Sequence, residues 1–201
     1  IIFQSTNEWK IRSASLTLHG AIIVEEHTRL SEYRVFEVGE DDPVISLGPT
    51  RSSTTQVAGN YAVWQGLNGE LYRRDLLAGT NLEITNALSR LAFTPFSVVE
   101  SGEVTFSAGN MPQVYRYRSG SIEQISTNGG YSNWTDGTNV LYYREYENGP
   151  DGTTLVLHTP GGAVILSRIL RAPTFLNKGF SISTADCSHA SLLLTLTSLG
   201  V

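Results

Sequence analysis

Cysteine and lysine are nearly missing from this sequence. Cys187 is the one cysteine in 201 residues, which excludes an internal disulfide and any zinc site built on cysteines. It reads as a small buried apolar residue. Lysine occurs only at Lys10 and Lys178, and charged residues make up 16% of the chain, below the usual quarter. The net charge is −5, so the chain lacks the cationic surplus on which general nucleic-acid binding draws. No apolar run approaches the ~20 residues that cross a bilayer as a helix. No signal peptide and no initiator Met are present, so the chain reads as a processed form or an excised domain. Phosphate loops, Gly-x-Ser-x-Gly elbows and His-Glu-x-x-His are also absent.

Serine, threonine and glycine are plentiful, and apolar residues reach 40%. This mix suits short strands joined by many turns, and reads as that of a secreted or cell-surface protein. The glycines carry a period. Gly39, Gly79, Gly120, Gly161 and Gly200 are spaced 40, 41, 41 and 39 residues apart. Each closes an apolar or alternating run: Tyr33–Val38, Glu70–Leu76, Gln113–Arg118, Thr153–His158 and Leu192–Thr197. These runs predict the third strand of a repeating unit. Second strands are predicted at Ala21–Val24, Tyr61–Trp64, Glu103–Phe106, Val140–Tyr143 and Phe180–Ser183, with short first strands ahead of them. Fourth strands follow the first four glycines, at Pro43–Ser46, Asn81–Thr85, Ser121–Ser126 and Ala163–Ser167. The fifth copy has no room for one, and Ile1–Thr6 reads as the missing strand.

Four strands in about 40 residues is the pattern of a propeller blade. The expected fold is all-β: a single five-bladed β-propeller over 1–201, with its N-terminal strand closing the last blade. The repeats are 7–47, 48–85, 86–126, 127–167 and 168–201 together with 1–6. Closure removes the two sheet edges that would invite aggregation. The stretch Tyr131-Ser-Asn-Trp-Thr-Asp-Gly-Thr-Asn-Val-Leu-Tyr-Tyr143 resembles the TolB-type, WD40-like propeller repeat, in which a short strand ends in a Ser/Thr-x-Asp-Gly turn before an aromatic strand. Gly59–Trp64 through Asp75–Gly79 resembles it too, and the other units match in outline. Such repeats serve binding scaffolds, lectins and enzymes alike, so the resemblance implies architecture rather than activity.

One cation recurs once per unit. Arg12, Arg51, Arg90 and Arg171 precede their first strands, and Tyr131 takes the fourth unit's place, at spacings of 39, 39, 41 and 40. Guanidinium suits planar recognition of carboxylate, sulfate or phosphate. These arginines either meet an acidic ligand or tie blades together through carbonyls and acids such as Glu103 or Asp136. Trp9, beside Lys10, is read in an inter-blade loop, as a sugar-stacking ring or as packing. Phe93 and Phe96 could reach the same rim. Trp64 and Trp134 are expected in the core.

His27 and His189 fall in equivalent loops, where a shared metal or acid–base work competes with plain solvation. His19 and His158 read as structural. The acidic groups Glu25-Glu26, Glu40-Asp41-Asp42 and Glu145 through Asp151 fix no pair of carboxylates for glycoside hydrolysis. Asn148–Gly152 reads as a turn before it reads as a calcium loop. Asn133-Trp-Thr135 fits the glycosylation pattern but lies on a predicted strand.

The expected function is a non-catalytic recognition module for carbohydrate, an acidic sugar included, through Arg12, Arg51, Arg90, Arg171, Tyr131 and Trp9. No cofactor and no metal is expected. Two alternatives stand beside it: an enzyme acting on uronate-containing polysaccharide, with Tyr131, His27 or His189 moving the proton, and a protein-interaction scaffold.

Overall fold

A computed structural model describes residues 4–39, 44–85, 96–145 and 152–170. These residues form four four-stranded antiparallel sheets in chain order. The first holds β1 (Trp9–Thr17), β2 (Gly20–His27), β3 (Tyr33–Gly39) and β4 (Ile45–Thr50). The second holds β5 (Thr55–Ala58), β6 (Tyr61–Gln65), β7 (Leu71–Asp75) and β8 (Thr80–Glu83). The third holds β9 (Phe96–Val98), β10 (Val104–Ala108), β11 (Gln113–Arg118) and β12 (Ser121–Gln124). The fourth holds β13 (Tyr131–Thr135), β14 (Val140–Glu145), β15 (Gly152–Thr159) and β16 (Gly162–Leu170).

Each sheet is a simple meander, so strand order follows the chain. First strands of successive sheets touch: β1 meets β5, β5 meets β9, and β9 meets β13. Second strands pack on the next sheet's first strand, as β2 does on β5, β6 on β9 and β10 on β13. This is the stacking of propeller-like blades around their inner strands.

The seams explain the strand sequences. Side chains alternate across a strand, so one strand feeds two seams. Ile22, Val24 and Val35 pack against Ala62 and Trp64 between the first two sheets. Val63, the residue between Ala62 and Trp64, faces the other way and joins Val98, Val104 and Phe106. Val114, Val140, Tyr142 and Val156 fill the third seam. A second strand buried on both faces is accordingly apolar throughout at Ala62-Val-Trp64, while β10 also buries Thr105 and Ser107.

Turn chemistry sets the hairpins. Gly20, at φ 150°, begins β2 opposite Gly39. A Cβ on Gly20 would lie 1.9 Å from the Val38 carbonyl oxygen, so only glycine fits. Asp136 caps the β13–β14 turn by accepting from the Thr138 and Asn139 amides at 2.8 and 2.6 Å. Asp75 does the same for Leu77 and Ala78 after β7. The Asp-Gly turn and Asp75 that carry the TolB-type resemblance are thus turn formers.

Two expectations reach beyond the described residues. These form four sheets, and the fifth expected unit, 168–201 with 1–6, lies mostly outside them. No closing strand is seen either: Gln4, Ser5 and Thr6 belong to no strand, and residues 1–3 lie outside the described set. Ser5 is used as a cap instead: its hydroxyl lies 2.6 Å from the Trp9 carbonyl oxygen and 2.5 Å from Glu25 Oε1, with one proton to share between these two acceptors. The first sheet also runs to Thr50, three residues past the expected boundary at 47. An extra residue, Leu47, bulges from β4 where Val35 pairs with Gly48 and Phe36 with Ser46.

Candidate functional site

Trp9 opens β1 rather than lying in a loop, directly across from His27. The two rings meet edge to face at 4.9 Å, and the Arg34 guanidinium covers Trp9 at 4.0 Å. Arg34 also lies 5.0 Å from the Phe36 ring. Its Nε and a terminal nitrogen both reach Glu25 Oε2 at 2.6 Å. Glu25 is fully buried, so its charge is stable there only because Arg34 and Ser5 satisfy it. Trp9, Glu25, His27, Arg34 and Phe36 share the face of the first sheet turned away from the second. Alternation from the core-facing Ile22, Val24 and Val35 puts them there. Trp9 is therefore a packing partner of Arg34.

His27 Nδ1 accepts the Arg29 backbone N–H at 3.2 Å, which leaves the ring proton on Nε2 in the neutral form. His189 lies outside the described residues. His19 sits in the β1–β2 turn and His158 in β15.

Arg12 is the extra residue of a bulge in β1, between Ile11 and Ser13. Bulges re-aim side chains, and Arg12 is exposed. Its Nε lies 3.9 Å from Glu26 Oε2, while Lys10 Nζ lies 3.3 Å from the same atom. That oxygen accepts no hydrogen bond, so the three groups meet by charge alone. Arg51 is exposed just past β4, and its amide donates to the Gln65 carbonyl at 3.2 Å. Ser13 donates to the Ser53 carbonyl at 3.3 Å, which sets the Arg12 and Arg51 segments side by side.

Thr17 and Ala58 hold the same place in their two-residue hairpins, which makes Val24 and Gln65 equivalent. Ser13 pairs with Val24 and the Arg51 amide bonds to Gln65, so Arg51 stands at the Arg12–Ser13 level of the first sheet. Tyr131 opens β13 and stacks on Tyr143, its cross-strand partner, at 5.1 Å. Arg90, Arg171, Phe93, Cys187 and residues 148–151 of the Asn148–Gly152 loop lie outside the described residues. Phe96 and Trp64 are core, at 4% and 2% exposure, whereas Trp134 is half-buried.

Other arginines do the tying. Arg73 on β7 donates to the Gly102 carbonyl at 2.7 Å, in the β9–β10 turn of the next sheet. Its guanidinium lies between Tyr61 at 4.8 Å and Tyr117 at 5.0 Å. Arg118 on β11 repeats this one sheet on, donating to the Gly137 carbonyl and pairing with Glu103. The Glu103 bond holds the Arg118 pKa above its ordinary value. Arg116 pairs with Glu123 at 2.7 Å and reaches the Thr138 carbonyl at 3.3 Å. The hydrogen bond from Arg116 holds the Glu123 carboxyl below the usual carboxylate range. Arg74 joins Glu37 of the first sheet at 2.7 Å.

A cleft of about 330 Å³ opens where the first sheet meets the second. Leu47 and Pro49 of β4 form one wall, and Trp64, Tyr72 and the 66–70 turn form the other. Trp64 and Tyr72 stack at 5.6 Å. Asn68 donates to Glu70 through its amide nitrogen at 2.9 Å and its backbone at 3.1 Å. Burial raises the Tyr72 pKa, with Glu83 and Glu70 adding to it, so its hydroxyl stays protonated. Among the described residues, no three metal-ligating side chains cluster, and no helix is long and apolar enough to cross a membrane.

No family model and no curated protein matches this sequence. Two solved structures resemble the fold at low identity. One is a complex of S. cerevisiae Dbp5 with Nup159, Gle1, IP6 and ADP, at 10% identity and a TM-score of 0.45. The other is the N-terminal domain of Nup159, at 12% identity and a TM-score of 0.42. Each likeness covers 77% of this chain and 46% or 47% of the matched one, so the chain spans less than half of either.

The tying arginines were legible but unread. Tyr-Arg recurs in three third strands, opening β3 at Tyr33-Arg34 and standing inside β7 at Tyr72-Arg73 and β11 at Tyr115-Arg116. The cleft left no such signal, because a bulge in one sheet and a turn in the next shape it jointly.

Proposed function

We propose that this chain is a non-catalytic recognition module of the TolB-type propeller class, binding acidic carbohydrate on the rim where first strands begin. The supporting observation is a division among its arginines. Arg73, Arg74, Arg116 and Arg118, on third strands, are engaged with acids or carbonyls across the seams. Lys10 and Arg12 instead stay exposed around one shared carboxylate, beside the exposed Arg51 segment. Exposed cations on a scaffold held by other arginines suit a carboxylate or sulfate ligand. Arg90, Arg171 and Tyr131 would extend this rim in the remaining units. The fifth unit, 168–201 with 1–6, would close against the face of the first sheet that carries Trp9 and Arg34. Buried Ile23 and Glu25 on that face suit an interior seam.

The test is a glycan array of neutral, uronic and sulfated sugars at low and moderate salt. Wild-type protein is compared with an Arg12→Ala, Arg51→Ala double variant. Binding to acidic glycans that falls with salt and drops at least tenfold in the variant is expected. Binding to no acidic glycan ends the reading and turns the search to protein partners.

A further inference from the structure

We infer that the cleft between the first two sheets is a separate subsite for one neutral pyranose ring. The inference stands on residues other than the cationic rim. Three observations carry it.

The first is chemical. A sugar hydroxyl both donates and accepts, so its site must offer both functions side by side. Here the cleft is lined by Tyr72, which carries a hydroxyl donor, and by Asn68 and Glu70, which carry carbonyl and carboxylate acceptors. Asn81 also lines the cleft; its Oδ1 accepts from Arg74 at 3.3 Å, which leaves its amide hydrogens for a ligand. The negative charge of Glu70 disfavours an anionic ligand.

The second is shape. The volume of about 330 Å³ falls at the small end of ligand pockets, ~300–1,000 Å³. Apolar contact comes from Leu47 and Tyr72, which suits the C–H face of a pyranose above polar groups at its edge.

The third is construction. Leu47 enters the wall because β4 carries a bulge there, a device that re-aims side chains next to sites. Across the cleft, Gly66 lets Glu70 and Tyr72 close in. A Cβ at Gly66 would lie 2.7 Å from both the Glu70 carboxylate and the Tyr72 ring. Alanine there would displace both groups without demanding a forbidden backbone.

The experiment is an amide NMR titration of the full chain with methyl glucoside, methyl galactoside and methyl mannoside. At least one glycoside should shift the Leu67, Asn68 and Gly69 amides with a Kd on the order of 1 mM. Gly66→Ala should abolish the shifts. Asn68→Ala, which leaves the backbone of the turn unconstrained, should weaken binding about fivefold to tenfold. The Arg12→Ala, Arg51→Ala variant should bind these neutral probes as wild type does, so the cleft and the cationic rim can fail independently. No shift at about 20 mM glycoside overturns the subsite. So does a cleft that answers only to a short leucine- and proline-containing peptide, which would mark it as a peptide pocket.

Discussion

Asp136 shows how one side chain sets a corner of the molecule. Burial works against its charge, but bonds from Asn139 and Thr138 outweigh this and hold its carboxyl below the usual range. A carboxyl depressed in the folded state stabilises above the unfolded pKa, ~3.9, and stops doing so as pH falls through the lower folded value. Asp136→Asn should therefore cost about 1 kcal/mol at pH 7, discounted for its exposure. That difference should shrink below about pH 3–4. Urea melts at both pH values check this, and an unchanged difference at low pH would refute it. Glu25 is the opposite case, buried and paired with Arg34. Arg34→Ala strands a buried charge, so about 3 kcal/mol of stability should vanish. Arg34→Ala with Glu25→Leu should recover most of that loss, and failure to recover would mean packing on Trp9 dominates.

At the scale of elements, alternation made the strands readable. Tyr33–Val38 lies within β3, Gln113–Arg118 is β11, and Tyr61–Trp64 lacks only Gln65 of β6. What alternation does not encode is where a strand slips. The bulges at Arg12 and Leu47 insert residues that a count along the chain cannot see. Trp9 was read in an inter-blade loop, whereas β1 begins at Trp9 itself. The same element logic predicts the effect of Gly102→Ala. Gly102 has φ 79°, and its added Cβ would sit 2.7 Å from the Tyr61 ring and 3.0 Å from Arg73. Thermal melts should show a loss of about 2–4 kcal/mol, from backbone strain and the broken tie together. A loss under about 0.5 kcal/mol would show that the tie is slack.

For the molecule as a whole, stability resides in seams rather than in sheets. Among the described residues each buried apolar cluster lies between two sheets, and no sheet encloses a core of its own. Trp64→Ala should therefore act on two sheets at once, costing about 3–5 kcal/mol. Hydrogen exchange should quicken in β2 and β6 together. Exchange that quickens in β6 alone would contradict a shared seam.

The direction of the arginine ties adds a consequence of another kind. Arg73 and Arg118 each reach forward from a third strand to grip the turn of the following sheet. A grip that runs only to the next unit makes the chain a row of dominoes: each unit's state is written into its neighbour's and no further. Such a row can grow or shrink by whole units without redesign, since a new copy brings its own arginine and its own glycine carbonyl. Duplication of a single ancestral segment is then a sufficient history for the array. The drift among its copies, an arginine here and a glutamate there, is what neighbour-only coupling leaves free.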